Sequence, residues 1–323
     1  MCAIEVRDLC REYISYGRNG QMAKNVIALE GISFCVKPGE LFGLLGPNGA
    51  GKTTTIKILT TLLLPTSGFA SVLGHDVTSG YHAIRQEIGH ASGTERGLYW
   101  PLSGRDNLLF FASLYGFDRR TALRRIDELL EMVGLSARAD ERVGAYSKGM
   151  KQRLHLARAL MSKPKVIFLD EPTLGLDPVV ARDMRQTLKS LQSEGHTILL
   201  TTHYMNEADA LCDRVAIISS GKLLALGSPA ELKARYVQGT NEVYVQIAGH
   251  ISGLPGIDSL ADMGIVLLDS VQSVGSFRLV FDTSRHGPDS MREILKALAE
   301  QQIIGMEVAH PTLEDAYVNL VSK

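Results

Sequence analysis

The stretch that most limits what this chain can become is Gly46-Pro47-Asn48-Gly49-Ala50-Gly51-Lys52-Thr53, followed by Thr54. Its glycines leave consecutive backbone N–H groups open to wrap around phosphate oxygens. Residues 40–45 read as a buried strand, and residues 52–59 read as the opening turns of a helix. A strand feeding a glycine loop feeding a helix is the setting such a loop needs, because the helix N-terminus adds unpaired N–H donors and a partial positive charge at the anion. In that setting Lys52 would reach the β- and γ-phosphates as a mobile point charge, and Thr53 would offer its hydroxyl to Mg²⁺. A glycine-rich turn without a ligand is the plainer reading, but eight matching positions in the right frame outweigh it.

A chain of 323 residues suggests two domains, and 45% apolar residues supply ample core. A formal net charge of −1 argues against coating nucleic acid, since that affinity grows with the number of phosphates neutralised by Lys and Arg. Met1-Cys2-Ala3-Ile4-Glu5-Val6-Arg7 carries charges where a leader needs an apolar run, and no later stretch approaches the ~20 apolar residues that span a bilayer. The chain is therefore expected to be soluble by itself. Cys2, Cys10, Cys35 and Cys212 lack metal-ligand spacing and are expected to be reduced thiols.

Residues 1–40 read as an antiparallel β layer: residues 3–9, a segment ending near Tyr16, a turn at Asn19-Gly20, then residues 26–36. Tyr13 or Tyr16 could stack on a nucleotide base or simply pack in the sheet. Leu108, Phe111, Leu114 and Tyr115, then Leu123, Ile126, Leu129, Leu130 and Val133, fall at helical spacing and mark an inserted helical subdomain at about 103–160. Within it, Ser147 and Gly149 stand where a phosphate-binding helix N-terminus would be built, with the helix itself read over residues 154–161. Val166-Ile167-Phe168-Leu169-Asp170-Glu171 reads as a buried parallel strand presenting two acids at its C-terminal edge, where ligands bind in open α/β sheets. Asp170 would hold the hydration shell of Mg²⁺, and Glu171 would orient and deprotonate the attacking water. A further strand, residues 197–202, delivers His203 to the same edge, and residues 215–219 and 222–226 form a hairpin.

Glycine loop, serine-glycine helix cap, apolar strand with Asp-Glu, Leu-Asp turn and strand-end His, in that order, resemble the nucleotide-binding subunit of an ABC transporter over about residues 3–230. The resemblance implies a P-loop ATPase core of α/β class, with an antiparallel β layer and inserted helical subdomain. It makes Lys52 and Thr53 the Walker A pair, Ser147 and Gly149 the signature, Asp170 Walker B, Glu171 the catalytic base, Asp177 the D-loop acid and His203 the switch histidine. It further implies ATP and Mg²⁺ as ligands, with Gly46 to Thr54, Ser147, Gly149, Asp177 and Tyr13 around the nucleotide and Thr53 and Asp170 at the metal. In this family two cassettes sandwich two ATP molecules, so one chain with one full set implies a dimer. The implied partners are a second copy and a separate transmembrane permease, with no nucleic acid, and the implied place is the cytoplasmic face of the membrane. Two departures stand out: Tyr-Ser-Lys-Gly-Met replaces the usual Leu-Ser-Gly-Gly-Gln, and Gly93 stands where the family usually places a glutamine, with Glu95 or water left to complete the shell.

Residues 236–323 are expected to form a small α+β accessory domain after a cassette at 1–235. Strands at 242–247, 265–268, 277–281 and 304–308, with helices at 257–263 and around Met291, Ile294, Leu295 and Leu298, give a β-α-β-β-α-β order compatible with a ferredoxin-like sandwich. The ending Pro311-Thr312-Leu313-Glu314-Asp315-Ala316-Tyr317 resembles the closing motif of drug-export ATPases, which favours export over import. Gly97-Leu98-Tyr99-Trp100-Pro101-Leu102 holds the only tryptophan. Its place between nucleotide edge and helical subdomain resembles the socket that receives the permease's coupling helix.

Overall fold

The computed structural model describes residues 2–16, 22–92, 97–237, 242–248, 260, 265–273, 276–282, 290–299, 301–309 and 311–321. The chain divides into two compact units, Met1–Pro229 and Ala230–Lys323.

The first unit carries two sheets. Strands β1 (Ile4–Tyr16) and β2 (Met22–Val36) pair antiparallel, joined by β4 (Ser67–Val72) and β5 (His75–Asp76), after β3 (Leu41–Leu45) has entered the second sheet. β1 is one strand rather than two segments; the register slips between Val6 and Leu9, where Asp8 takes a left-handed φ of 46° and the bulge keeps the strand continuous. The second sheet runs β10-β9-β3-β8-β7-β6, where β6 is Ile88–Ser92, β7 Val166–Asp170, β8 Thr197–Thr202, β9 Arg214–Ser219 and β10 Lys222–Gly227. All its pairings are parallel except the β9–β10 hairpin, so β3, β7 and β8 end at one edge. Both sheets contribute to a single apolar core, with Ile4, Leu29 and Phe34 among Phe42, Leu44, Phe168 and Leu199. The rings of Phe34 and Phe42 stack at 5.4 Å between centroids.

Helices α1 (Lys52–Leu59) and α2 (Tyr81–Glu87) follow β3 and precede β6. The inserted helices are α3 (Gly104–Leu114), α4 (Arg119–Met132) and α5 (Lys148–Ala159). Asp118 caps α4 through Arg120 and Thr121 N–H, and α4 buries Ala122, Ile126, Leu129 and Leu130 on one face. On α3 the helical spacing holds, yet only Leu108 of the expected apolar face is fully buried; Leu114 and Tyr115 are exposed. α5 begins six residues before the expected 154, because the Ser147 hydroxyl accepts the Met150 N–H and opens the helix there.

α6 (Pro178–Ser193) precedes β8, α7 (Met205–Leu211) follows it, and α8 (Pro229–Tyr236) follows β10. In the second unit four antiparallel strands, Glu242–Ala248, Val266–Ser273, Ser276–Asp282 and Ile303–Ala309, form a sheet in which the first-formed strand lies between the third and fourth. That is the strand order of a ferredoxin-like sandwich, with helices Ser290–Ala297 and Leu313–Val321 and a core of Val243, Val245, Ile247, Leu279, Phe281 and Ile294. The helix expected at 257–263 and the turn at Asn19-Gly20 lie outside the described residues, apart from Leu260, which joins this core.

The cysteine expectation is corrected for one pair. Cys2, just ahead of β1, and Cys35, one residue from the end of β2, form a disulfide with Cα atoms 5.8 Å apart. Cys10 and Cys212 are free thiols. Among the described residues no helix is long and apolar enough to cross a membrane.

Candidate functional site

The glycine loop leaves β3 at the sheet edge and enters α1 with Gly51 as the N-cap residue, at φ 109° and without a side-chain cap. A Cβ on Gly51 would stand 2.6 Å from the Ala28 carbonyl, so glycine is required by space as well as by φ. The uncapped first turn of α1 presents N–H groups with no partner inside the helix. Pro47, Asn48 and Gly49 are exposed at the rim, whereas Gly46, Ala50, Gly51 and Lys52 are buried beneath them.

Lys52 curls back over the loop and donates to the carbonyls of Gly46 at 2.7 Å and Pro47 at 3.1 Å. Burial lowers its pKa below that of an ordinary lysine, opposed by the charges of Glu171 and Asp170. Its ammonium lies 3.6 Å from Glu171 Oε1. Thr53 Oγ1 donates to Asp170, 3.0 Å from Oδ2. The pairing of β7 with β8 sets Thr201 opposite Asp170, and the Thr201 hydroxyl donates to Asp170 Oδ1 at 2.5 Å.

Glu171 leaves β7 with φ 53°, a left-handed conformation costly for a residue with a Cβ. Its N–H is held by both the carbonyl and the hydroxyl of Thr201 at 3.1 Å. This turn aims the carboxylate toward Lys52 and toward His203, whose Nδ1 lies 3.2 Å from Glu171 Oε1 without the alignment of a hydrogen bond. Below, Thr173 donates to the buried Glu207 at 2.7 Å and fixes the loop that follows.

Of the expected residues, then, Lys52, Thr53, Asp170, Glu171 and His203 converge at the C-terminal edge of β3, β7 and β8. The starts of α5 and α6 form a second junction: Ser147 caps α5, Asp177 caps α6 through Val179 and Val180 N–H, and a Cβ on Gly149 would stand 2.8 Å from Val180 Cγ1. Tyr13 is partly exposed on β1 with the Arg11 guanidinium 4.8 Å over its ring; the side chain of Tyr16, and Gly93 and Glu95, lie outside the described residues. Thr201 went unread in the sequence because a threonine in a β-branched run reads as strand material; the only clue was the polar pair Thr201-Thr202 just ahead of His203.

The hydroxyl and carboxylate oxygens of Thr53 and Asp170 form an all-oxygen donor set, which suits a hard divalent cation shared with phosphate. Among the described residues no cluster of His, Cys, Asp and Glu could hold a metal ion by itself.

A family model described as ABC transporter matches residues 29–174. The linearmycin resistance ATP-binding protein LnrL of Bacillus subtilis is 35% identical over 297 residues, 91% of this chain and 94% of that protein. The daunorubicin resistance ATP-binding protein DrrA3 of Streptomyces coeruleorubidus is 38% identical over 91% of this chain and 90% of its own length. The dimeric structure of MJ0796, a bacterial ABC transporter cassette, superposes with a TM-score of 0.63 at 25% identity, covering 70% of this chain and 98% of that one. With these relatives, and with the glycine loop and the acids that face it in place, the chain belongs to the ATP-binding cassette proteins of ABC transporters, a family of ATPases.

Proposed function

We propose that this subunit powers an exporter from the cytoplasmic face of the membrane, with two copies closing on two ATP molecules and a separate permease carrying the cargo. The observation that carries the reading is the convergence of Lys52, Thr53, Asp170, Thr201, Glu171 and His203 within a continuous series of short contacts at one sheet edge. Two relatives named as resistance ATP-binding proteins, similar over nearly their whole length, support export.

Lys52 would exchange the neutral Gly46 and Pro47 carbonyls for charged phosphate oxygens, gaining charge-assisted hydrogen bonds. Thr53 and Asp170 would hold Mg²⁺, which neutralises phosphate charge when bound. Glu171 would take a proton from the water that attacks the γ-phosphorus, while His203 fixes its carboxylate. Tyr13 would stack on the adenine with Arg11 behind its ring, and Ser147 and Gly149 would meet the nucleotide of the second copy, with Asp177 supporting that face by holding α6.

Tyr99 and Trp100 would form part of the permease's docking site. Each is 48% exposed, and Tyr99 stands edge-on to the exposed ring of Phe110 at 4.8 Å. The test of the central claim is Glu171→Gln, expected to slow ATP turnover by roughly 10²–10⁴ and to accumulate an ATP-bound dimer detectable by light scattering. Near-normal turnover would remove Glu171 from the mechanism.

A further inference from the structure

The exposed stretch 97–102 is gripped by α5 at two points. Lys151 Nζ sits 4.3 Å over the Trp100 ring, and Arg158 Nη1 donates to the Gly97 carbonyl at 2.7 Å while its guanidinium lies 5.1 Å over Phe111. Residues 151 and 158 are seven apart, about two turns and on one helix face, some 10 Å from each other along the axis. Gly97 is left-handed, φ 96°, and a Cβ there would meet Arg158 Nη1 at 2.6 Å, so the guanidinium uses the space glycine leaves. Further bonds tie the stretch to α3 and to the turn ahead of α5: Gly144 N–H to Trp100 O, Val143 N–H to Leu102 O, Tyr99 N–H to Asn107 Oδ1, and Asn107 Nδ2–H to Tyr99 O. Lys151 is itself buried, and burial lowers the pKa of Arg158.

We propose that Lys151 and Arg158 form a two-point clamp that makes the 97–102 stretch and α5 one rigid body, so that load on Trp100 reaches the Ser147 end of the helix. Both are positioning residues rather than catalytic ones. The functional half of this inference rests on the docking role given above to Tyr99 and Trp100; the clamp itself is independent of it.

The single tryptophan makes the clamp directly readable in the full-length protein. Lys151→Met, which removes the ammonium and keeps an apolar stem, is expected to lower Trp100 emission anisotropy and raise its acrylamide quenching by about 1.5-fold or more. Arg158→Gln is expected to lower kcat for ATP by about three- to tenfold with KM within about twofold, and Arg158→Lys to restore part of it. Unchanged Trp100 mobility in both variants overturns the clamp. A joint change of kcat and KM with a lowered melting point overturns the positioning role and leaves a merely structural arginine. If Arg158→Gln fails to fold, Lys151→Met still decides through Trp100 mobility. In the assembled transporter, loss of transport in Trp100→Ala but not in the clamp variants sinks the inference alone, whereas normal transport in Trp100→Ala sinks the docking reading.

Discussion

Thr201 shows how one hydroxyl can serve two acids. It donates to Asp170 and accepts the Glu171 N–H, so Thr201→Val, equal in size, leaves Asp170 short of a donor within a fully buried wall. The expected cost is about 1–2 kcal/mol in unfolding free energy and about tenfold in kcat, read by urea titration and steady-state turnover. His155 on α5 offers a pH test. It is 1% exposed, neither ring nitrogen has a hydrogen-bond partner, and burial, with Arg158 and His90 nearby, pushes its pKa down to about 4. The unfolded chain takes up this proton near pH 6.5 and the folded one does not, so stability falls as pH drops from about 6.5 to about 4. Between pH 7 and pH 5 the loss from this group is roughly 2 kcal/mol, and His155→Leu should flatten that part of the profile. His90, shifted down mainly by its own burial, acts in the same direction.

At the scale of elements, the junction of α5 and α6 rests on close approach. Gly149→Ala would press its Cβ against Val180 and is expected to cost about 1–3 kcal/mol by overpacking, with Val180→Ala in the same chain recovering most of it. A thermal melt of the single and double variants checks this, and additive losses would reject the contact. What the sequence disclosed follows the same division. Lys52, Thr53, Asp170, Glu171 and His203 were readable because each ends a strand or opens a helix, where local pattern and position coincide. β6 was not read as a strand, being short and carrying Gly89 and His90, although its pairing with β7 sets Ser92 beside Asp170. Arg158 looks in sequence like an ordinary solvated helix residue, and only packing shows it holding Gly97. The Cys2–Cys35 pairing depends on the start of β1 lying against the end of β2, a long-range contact that residue spacing does not contain.

For the whole molecule the sharpest prediction concerns transmission to the membrane partner. Trp100→Ala in the assembled transporter should lose substrate flux while the isolated subunit keeps its melting point, because a ring 48% exposed contributes little to the core. Global unfolding of that variant would instead place Trp100 among the core residues. The left-handed backbone at Glu171 has a consequence of another kind. Such a conformation costs of order 1–3 kcal/mol, and at Glu171, unlike at the bulge of Asp8, it serves to aim a carboxylate toward Lys52 and His203. Glu171→Gly is therefore expected to be inactive yet to melt a few degrees higher, by about 2–4 °C per kcal/mol in a domain of this size. A laboratory selection for durability alone, blind to activity, would be expected to discard this glutamate, so heat tolerance is a misleading guide to fitness in libraries of this protein.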